Sequence, residues 1–254
     1  MTRRIDLNAD LGESFGAWTM GDDDALLEIV TSANVACGFH AGDPAVMRRT
    51  AAAAKARGVA VGAHPAFPDL QGFGRRRLDM APADLRAAIV YQIGALAALA
   101  AAEGARLAHV KPHGALSNMA CADRALAETV VAAVRDVDRD LILLAPVLSE
   151  LAAAGDRAGL AVAREIFADR TCEDDGRLTP RDRPGAVIHD PAESLAHTLA
   201  MLEAGALVTR TGARLPTPID SVCVHGDGPA AVATARTLAA GLAAAGWTLA
   251  AFAR

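Results

Sequence analysis

The stretch HVKPHGALSN, residues 109–118, takes the chain from a predicted β-strand into a predicted helix. The apolar run Leu107–Val110 is typical of a buried strand, and Pro112 and Gly114 punctuate the turn that follows it. Between them lies His113, a histidine placed where the strand ends. Other apolar runs of the chain are also followed directly by polar side chains, and this repetition predicts the fold.

Strand-like runs alternate with helical runs along the sequence, which predicts parallel βαβ units. Asp43-Pro44 and Asp190-Pro191 are signals for the start of a helix, and Gly205 is a stop signal. The predicted strands are Ile5–Leu7, Ala33–Gly38, Val59–Ala63, Leu107–Val110, Leu141–Leu144, Ala161–Ala168, Ala186–Ile188 and Ser221–Val224. Because α/β barrels of this length are commonly undivided, we expect one domain over residues 1–254.

Composition narrows the functional classes. The formal net charge is −5, which does not favour nucleic acid as a partner, and Arg75–Arg77 is interpreted as a solvated loop. Four cysteines without CxxC spacing indicate free thiols in a reducing compartment. The longest apolar run, Ala87–Ala102, is interpreted as a buried helix rather than a membrane span, and the first residues lack the pattern of a signal peptide. We therefore expect a cytoplasmic protein without a membrane partner.

Polar side chains follow the predicted strands, at the ends that meet on one rim of a parallel β/α barrel. Active sites of such barrels are built at this rim. The residues expected to converge there are Asp6, Asn8, Asp10, Glu13, His40, Asp43, His64, Lys111, His113, Asn118, Glu165, Asp169, Arg170, His225 and Asp227. Two long connections, Pro65–Ala81 and Asp169–Gly185, are predicted to be lids or binding loops.

Several of these residues also have a structural interpretation. Asp43 and Asp227 each precede a predicted helix, where an N-cap role is the more common one. Asp6, Asn8 and Asp10 share one strand face, and polar groups that point into a barrel are costly unless they are bonded or bind something. The histidines without polar strand-end neighbours are interpreted as structural or exposed: His109, His189 and His197.

The predicted rim is compatible with more than one kind of chemistry. Carboxylates and histidines bind zinc and other divalent ions, but no HxH or HExxH spacing selects ligands, so metal binding stays open. The same groups act as general acids and bases without a metal, each contributing ~10²–10⁴-fold when well placed. The sequence contains neither a P-loop nor a GxSxG motif.

Long blocks of the sequence resemble the LamB/YcsF family. They include IDLNADLGE (5–13), SANVACGFHAGD (32–43), HVKPHGALSN (109–118) and VCVHGDGP (222–229), and the similarity extends from Ile5 to about Trp247. The resemblance implies a seven-stranded, TIM-like (β/α) barrel of the type shared with glycoside hydrolases and deacetylases. It also implies the A subunit of a 5-oxoprolinase, which works with subunits B and C to hydrolyse 5-oxo-L-proline, a cyclic amide, to L-glutamate with ATP and Mg²⁺.

This chemistry suggests roles for the rim residues. We assign the acid and base roles, in no fixed order, to Asp10, His40, His64 and His113. The other rim residues are expected to bind substrate, with Lys111 and Arg170 as cations for a carboxylate or phosphate. The chain departs from the family at Ser117 and Cys172, where members usually carry aromatic residues. Two alternatives stay open, a stand-alone metal-dependent deacetylase-like hydrolase of amides or carbohydrates and a non-catalytic ligand-binding subunit.

Overall fold

Seven parallel strands form a closed barrel in the computed structural model, which describes residues 3–225 and 230–252. Ten strands are described, of which β1 to β6 and β9 form the barrel: β1 (Arg3–Leu11), β2 (Ser32–Ala36), β3 (Ala60–His64), β4 (Leu107–Val110), β5 (Ile142–Pro146), β6 (Val162–Phe167), β7 (Ala206–Val208), β8 (Arg214–Pro216), β9 (Ser221–Val224) and β10 (Trp247–Leu249). Strands β1 to β6 follow one another around the barrel, and β9 closes it by pairing with both β6 and β1. The seven-stranded TIM-like barrel implied by the resemblance is therefore confirmed.

The helices lie around the barrel, and α2 and α7 begin where the sequence signals predict. They are α1 (Asp23–Leu27), α2 (Pro44–Ala56), α3 (Pro82–Ala102), α4 (Gly114–Ala120), α5 (Arg124–Val137), α6 (Glu150–Ala158), α7 (Pro191–Ala204) and α8 (Ala231–Ala244). The Asp43 carboxylate accepts the N–H groups of Ala45 and Val46, and Asp190 caps α7 in the same way. Gly205 ends α7 with a left-handed φ of 56°, a conformation that favours glycine.

One predicted strand is wrong. Ala186–Ile188 lies in the long loop between β6 and α7, where Val187 forms only an isolated bridge with Arg170. The barrel has no place for this run, because β9 already pairs directly with β6. Three short strands were not predicted: β7 and β8 form a separate antiparallel pair, and β10 pairs in parallel with the first residues of β1, Arg3 to Ile5.

Helix α3 is the one described helix that is long and apolar enough to span a membrane by length and composition, with a mean hydropathy of 1.6. It packs in the outer layer of the barrel, against α2 and α5. One face of the helix is buried there, including Leu85, Ile89, Ile93 and Leu96. This packing agrees with the interpretation of Ala87–Ala102 as a core helix.

A buried glutamine of α3 fixes the start of the loop after β3. The Gln92 side chain accepts the N–H of Ala66 at 2.9 Å and donates to the carbonyl of Ala66 at 2.9 Å. The preceding carbonyl, that of Pro65, accepts the backbone N–H of His113 at 2.8 Å. Gln92 therefore holds the segment that joins the ends of β3 and β4.

The lower part of the barrel interior is polar and fully enclosed. Asp6 accepts hydrogen bonds from the hydroxyls of Thr31 and Ser32 at 2.7 and 2.6 Å, and also from the hydroxyl of Ser221. Burial raises the pKa of Asp6, although these three hydroxyls bond to its carboxylate. Above it, Asn8 donates to Ser221 Oγ at 2.7 Å and to Glu165 Oε1 at 2.9 Å. The predicted inward face of β1 is thus confirmed, and its polar groups are bonded.

We expect Gln92→Leu to lower the free energy of unfolding by roughly 2–4 kcal/mol, because it leaves the buried N–H and carbonyl of Ala66 without partners. Urea or guanidinium unfolding measures the change. Gly94→Ala, at an exposed and uncrowded position of the same helix, is the matched control and should raise stability by ~0.5–1 kcal/mol. Equal stability of Gln92→Leu and wild type would contradict the role given to Gln92.

We expect His109 to make the fold less stable in mild acid. This buried imidazole donates from Nε2 to Asn34 Oδ1 at 2.7 Å, and burial, with Lys111 nearby, lowers the pKa of His109 to about 3. As the pH falls below ~6.5 the unfolded chain takes up this proton and the folded chain does not, so stability is lost. From pH 6.5 to 5 the expected loss from this residue is about 2 kcal/mol.

The measurement is the unfolding free energy at pH 7, 6 and 5 for wild type and His109→Gln. The variant should show a shallower pH dependence, because it lacks this proton uptake on unfolding. His189→Gln, which changes an exposed histidine, is the control and should keep the wild-type slope. Identical slopes for wild type and His109→Gln would show that His109 does not cause the loss of stability in acid.

Candidate active site

Four consecutive strands bring one carboxylate and three imidazoles together at the carboxyl end of the barrel. Glu13 follows β1, His40 follows β2, His64 ends β3 and His113 follows β4. One ligand atom of each lies within 4.8 Å of the others, and all four side chains are buried. His64 Nε2 is 3.0 Å from His113 Nδ1, and the rings of His40 and His113 are stacked with centroids 3.9 Å apart. These four residues are called the histidine cluster below.

Backbone carbonyls orient two of the imidazoles. His64 Nδ1 lies 2.6 Å from the carbonyl oxygen of Lys111, and His113 Nε2 lies 2.9 Å from that of Phe73. A carbonyl only accepts, so each of these nitrogens carries the hydrogen. The other nitrogens, His64 Nε2 and His113 Nδ1, face each other, and each holds a lone pair when its ring is neutral. Phe73 has an unusual φ of 54° for a residue that is not glycine, and such strain clusters at functional sites.

Gly74 makes room for the imidazoles. Its φ is +63°, and a Cβ added there would lie 2.8 Å from His113 Cδ2 and 2.9 Å from His40 Cβ. The carbonyl of Gly74 accepts the N–H of Ala115 at 2.9 Å, which ties the loop after β3 to the first turn of α4. Glycine is therefore required by both conformation and close approach.

An ion-pair network lies beside the cluster. Lys111 Nζ is 3.1 Å from Asp10 Oδ1, 2.9 Å from Glu165 Oε1 and 3.0 Å from Cys223 Sγ. Burial alone would lower the pKa of Lys111, but the Asp10 carboxylate, Cys223 and Glu165 raise it well above its ordinary value. Burial likewise works against ionisation of Asp10, but His64 and Lys111 hold the pKa of Asp10 well below its usual range. Lys111 is therefore a buried cation paired with two carboxylates.

Burial sets the protonation of two cluster histidines. It lowers the pKa of His40 and of His113 well below the ordinary value, and the neighbouring imidazoles add to the effect. Both rings are therefore neutral at physiological pH and offer lone pairs rather than positive charge. Neutral imidazole is the form that accepts a proton or binds a metal ion.

A cavity of about 550 Å³ opens above the network. The predicted site residues that line it are Asp10, Glu13, His64, Lys111, His113, Asn118, Glu165, Arg170 and His225. Both positions that depart from the family, Ser117 and Cys172, also line it. His40 does not line the cavity itself, but it stacks on His113, which does.

Other predicted site residues lie elsewhere. Asp6 and Asn8 lie in the enclosed interior below the cavity, and Asp43 caps α2 and also accepts the N–H of Gly16 at 2.8 Å. Asp169 pairs with His225 Nδ1 at 2.8 Å just outside the lining. Burial would raise the pKa of Asp169, but the His225 imidazole reverses this and the pKa is lowered. Asp227 lies outside the described residues.

Arg170 is hydrogen-bonded to the long connection that follows β6. Its Nε donates to the carbonyl of Ala186 at 3.2 Å and its Nη2 to that of Thr179 at 2.6 Å. Burial, with Arg181 close by, lowers the pKa of Arg170 to about 10. The guanidinium thus holds the loop 169–190 over the cavity. Arg170 also lines the cavity, as predicted.

Sequence reasoning missed three arginines that line the cavity: Arg75, Arg177 and Arg181. Arg75 was interpreted as part of a solvated loop, and it is indeed exposed, but its guanidinium lies over the Phe73 ring at 5.0 Å beside the cluster. The signal available in the sequence was that all three arginines lie on the two long connections, which were expected to be lids or binding loops.

The histidine cluster is a donor set able to hold a metal ion. It offers nitrogen atoms of three imidazoles and one carboxylate oxygen, which are ligands that zinc and related divalent ions prefer. Two of the imidazoles donate their other N–H to a backbone carbonyl, an arrangement common among metal-binding histidines.

Solved structures share this architecture. A lactam utilization protein from Thermus thermophilus matches with a TM-score of 0.92 and 43% identity, covering 98% of this chain and 100% of that one. The catalytic domain of a peptidoglycan N-acetylglucosamine deacetylase from Eubacterium rectale matches with a TM-score of 0.54 and 12% identity, covering 100% of this chain and 90% of that one. The second similarity shows the fold alone, and it confirms that deacetylases share this type of barrel.

Sequence comparison gives the family. A protein from an Azoarcus species, named as the A subunit of 5-oxoprolinase, is 66% identical over 246 residues, which are 97% of this chain and 96% of that protein. The profile of the LamB/YcsF family matches residues 5–254. The resemblance carried by the sequence blocks is thus confirmed, and the chain belongs to the LamB/YcsF family.

Proposed function

We propose that this chain is the A subunit of a 5-oxoprolinase, which opens the lactam of 5-oxo-L-proline to L-glutamate while ATP is cleaved to ADP and phosphate. The observation that carries the proposal is the 66% identity, over 97% of the chain, to the Azoarcus protein named as a 5-oxoprolinase component. The similarity to the Thermus lactam utilization protein supports the substrate class, since 5-oxoproline is a lactam.

The cavity suits a small anionic substrate. Its volume of about 550 Å³ lies within the range of ligand sites, ~300–1,000 Å³. Arg75, Arg177 and Arg181 line it and supply donors that match a carboxylate or a phosphate. His64 and His113 line the same cavity, and their facing nitrogens, 3.0 Å apart, are able to share one proton taken from water.

The reaction requires activation of a stable amide. Transfer of the γ-phosphoryl group of ATP to the lactam oxygen releases ADP and makes the carbonyl carbon electrophilic. Water then adds to that carbon as its proton passes to a base. The ring C–N bond breaks and the nitrogen takes up a proton, which leaves γ-glutamyl phosphate. A second water releases phosphate and L-glutamate.

We place the acid and base roles of this scheme on Asp10, His40, His64 and His113. A well-placed group of this kind contributes ~10²–10⁴-fold to the rate. Contacts to the substrate are proposed for the other lining residues that the sequence indicated: Glu13, Lys111, Asn118, Glu165, Arg170 and His225. Lys111 contributes as a fixed positive charge, because its ammonium already bonds to Asp10 and Glu165.

We propose that ATP and Mg²⁺ act in a complex of this chain with subunits B and C. Two observations support a division of labour: the relatives are named as one subunit of an enzyme, and the sequence contains no P-loop. A cytoplasmic location agrees with the need for ATP and with the four cysteines, all of which are free thiols.

A second candidate is a stand-alone metal-dependent hydrolase of amides or carbohydrates. The histidine cluster favours it, because the donor set fits a divalent ion. This candidate predicts turnover without ATP and without subunits B and C, and complete loss of turnover on chelation. The proposed function predicts that glutamate release requires all three subunits and ATP.

We expect His113→Gln to lower glutamate release by the reconstituted three-subunit complex by ~10²–10⁴-fold, because it removes a nitrogen of the cluster. Glutamate and ADP are measured with 5-oxoproline, ATP and Mg²⁺. His189→Gln, at the exposed histidine, should keep the wild-type rate. Subunits B and C are first shown to release glutamate together with a related A subunit. If they do so but remain inactive with this chain, the proposed function is refuted. Full activity of folded His113→Gln would instead favour a ligand-binding role for this chain.

We expect Ser117→Tyr to narrow the cavity and to discriminate against larger lactams. The residue lines the cavity and is half-buried, so a phenol ring there takes up space beside the substrate. The ratio of kcat/KM for 5-oxoproline to that for its six-membered homologue should rise by ~10-fold or more, as one methylene is worth ~10–200-fold in a tight pocket. An unchanged ratio would show that position 117 does not face the substrate.

A further inference from the structure

We infer that the histidine cluster binds one divalent transition-metal ion, with His64 Nε2 and His113 Nδ1 as its first two ligands and His40 and Glu13 completing the set. Such a site goes beyond the proposed function, which needs no metal in this chain, and a nitrogen that binds the ion does not act as a base at the same time. The use of the ion to activate water on a lactam rests on the proposed function, whereas binding of the ion does not.

The hydrogen bonds of His64 and His113 carry the inference. Each ring donates one N–H to a backbone carbonyl, at 2.6 and 2.9 Å, so the remaining nitrogens, His64 Nε2 and His113 Nδ1, point at each other, and His64 Nε2 also lies 3.4 Å from Asp10 Oδ2. The two lone-pair nitrogens are only 3.0 Å apart and buried. Two acceptors do not approach this closely without a cation between them.

A shared proton between His64 and His113 is the simplest such cation, but it leaves His40 unexplained. A proton there engages two nitrogens, whereas the ligand atoms of four side chains converge within 4.8 Å. Both ring nitrogens of His40 are buried, and neither has a hydrogen-bond partner among the described residues. A buried imidazole aimed at a donor cluster is accounted for when it also binds the ion.

The distances among the four ligand atoms are compatible with a metal ion. Zn–N bonds of ~2.05 Å place two nitrogens about 2.9 Å apart in an octahedral site and about 3.3 Å apart in a tetrahedral one. The separation of 3.0 Å between His64 and His113 falls in this interval. Glu13 Oε1 lies 3.7 Å from His40 Nε2 and 3.9 Å from His113 Nδ1, too far for a hydrogen bond yet close to the separation of co-ligands.

The local charge also suits a divalent cation. Asp10, Glu13 and Glu165 are buried carboxylates, and Lys111 offsets one of their charges. Arg75 lies at the exposed rim, where solvent screens its charge. Three imidazoles with one carboxylate favour zinc, cobalt or nickel over magnesium or calcium, which prefer oxygen ligands.

The experiment is metal binding by the full chain alone, so its result is separate from turnover by the complex. The chain is stripped with a chelator and titrated with Zn²⁺, and bound metal is measured by equilibrium dialysis and elemental analysis. Co²⁺ serves as a second probe, because its visible absorption reports nitrogen and oxygen coordination. We expect one equivalent bound, with a Kd below about 1 μM.

Variants locate the site. His64→Gln and His113→Gln should weaken Zn²⁺ binding by more than ~100-fold, because loss of even an outer partner costs 10–100-fold. His189→Gln, the exposed control, should bind as wild type does. Thermal melts establish that each variant is folded. On wild type, saturating Zn²⁺ should raise the Tm, which tests binding without any variant.

Two results would overturn the inference. One is a folded wild-type chain that binds no stoichiometric Zn²⁺ or Co²⁺ and shows no rise in Tm. The other is stoichiometric binding that His64→Gln and His113→Gln leave unchanged or that His189→Gln removes. If the metal is absent but the complex still releases glutamate, the proposed function stands and a shared proton joins the two imidazoles.

Discussion

Closure of the barrel by β9, which pairs with both β6 and β1, is the constraint on which the site depends. It places the carboxyl ends of seven strands on one rim, so side chains more than a hundred residues apart in sequence come into contact. Lys111 and Cys223, with Nζ and Sγ 3.0 Å apart, meet only because the barrel is closed. Closure also encloses the interior, where polar groups must bond to one another.

Backbone groups then give the site its chemical character. The carbonyls of Lys111 and Phe73 determine which nitrogen of His64 and of His113 carries the hydrogen. Gln92, from the outer layer, bonds to the backbone of Ala66 and so holds the start of the loop after β3. The loop after β3 thus positions the cluster as much as the strands themselves do. Phe73 and Gly74, both with positive φ, belong to this loop and lie beside the cluster.

Much of this arrangement could be predicted from the sequence. The alternation of strands and helices, the helix caps at Asp43 and Asp190, and the strand-end positions of the cluster residues follow from local patterns. The predicted strand Ala186–Ile188 failed because a short apolar run has the same local pattern in a loop as in a strand. Arg75 was missed because an exposed arginine in a loop looks the same in sequence whether it faces a cavity or only solvent.

The sequence by itself determined the family, the barrel and the set of polar residues at its rim, since these depend on periodicity, punctuation and matched motifs. Only the tertiary structure decided which of those residues meet. It enclosed Asp6 and Asn8 below the cavity, gave Asp43 a capping role and brought His40 against His113. The physical reason is that distances between strand ends, and the tautomer of each imidazole, are determined by contacts between residues distant in the chain, which no local pattern records.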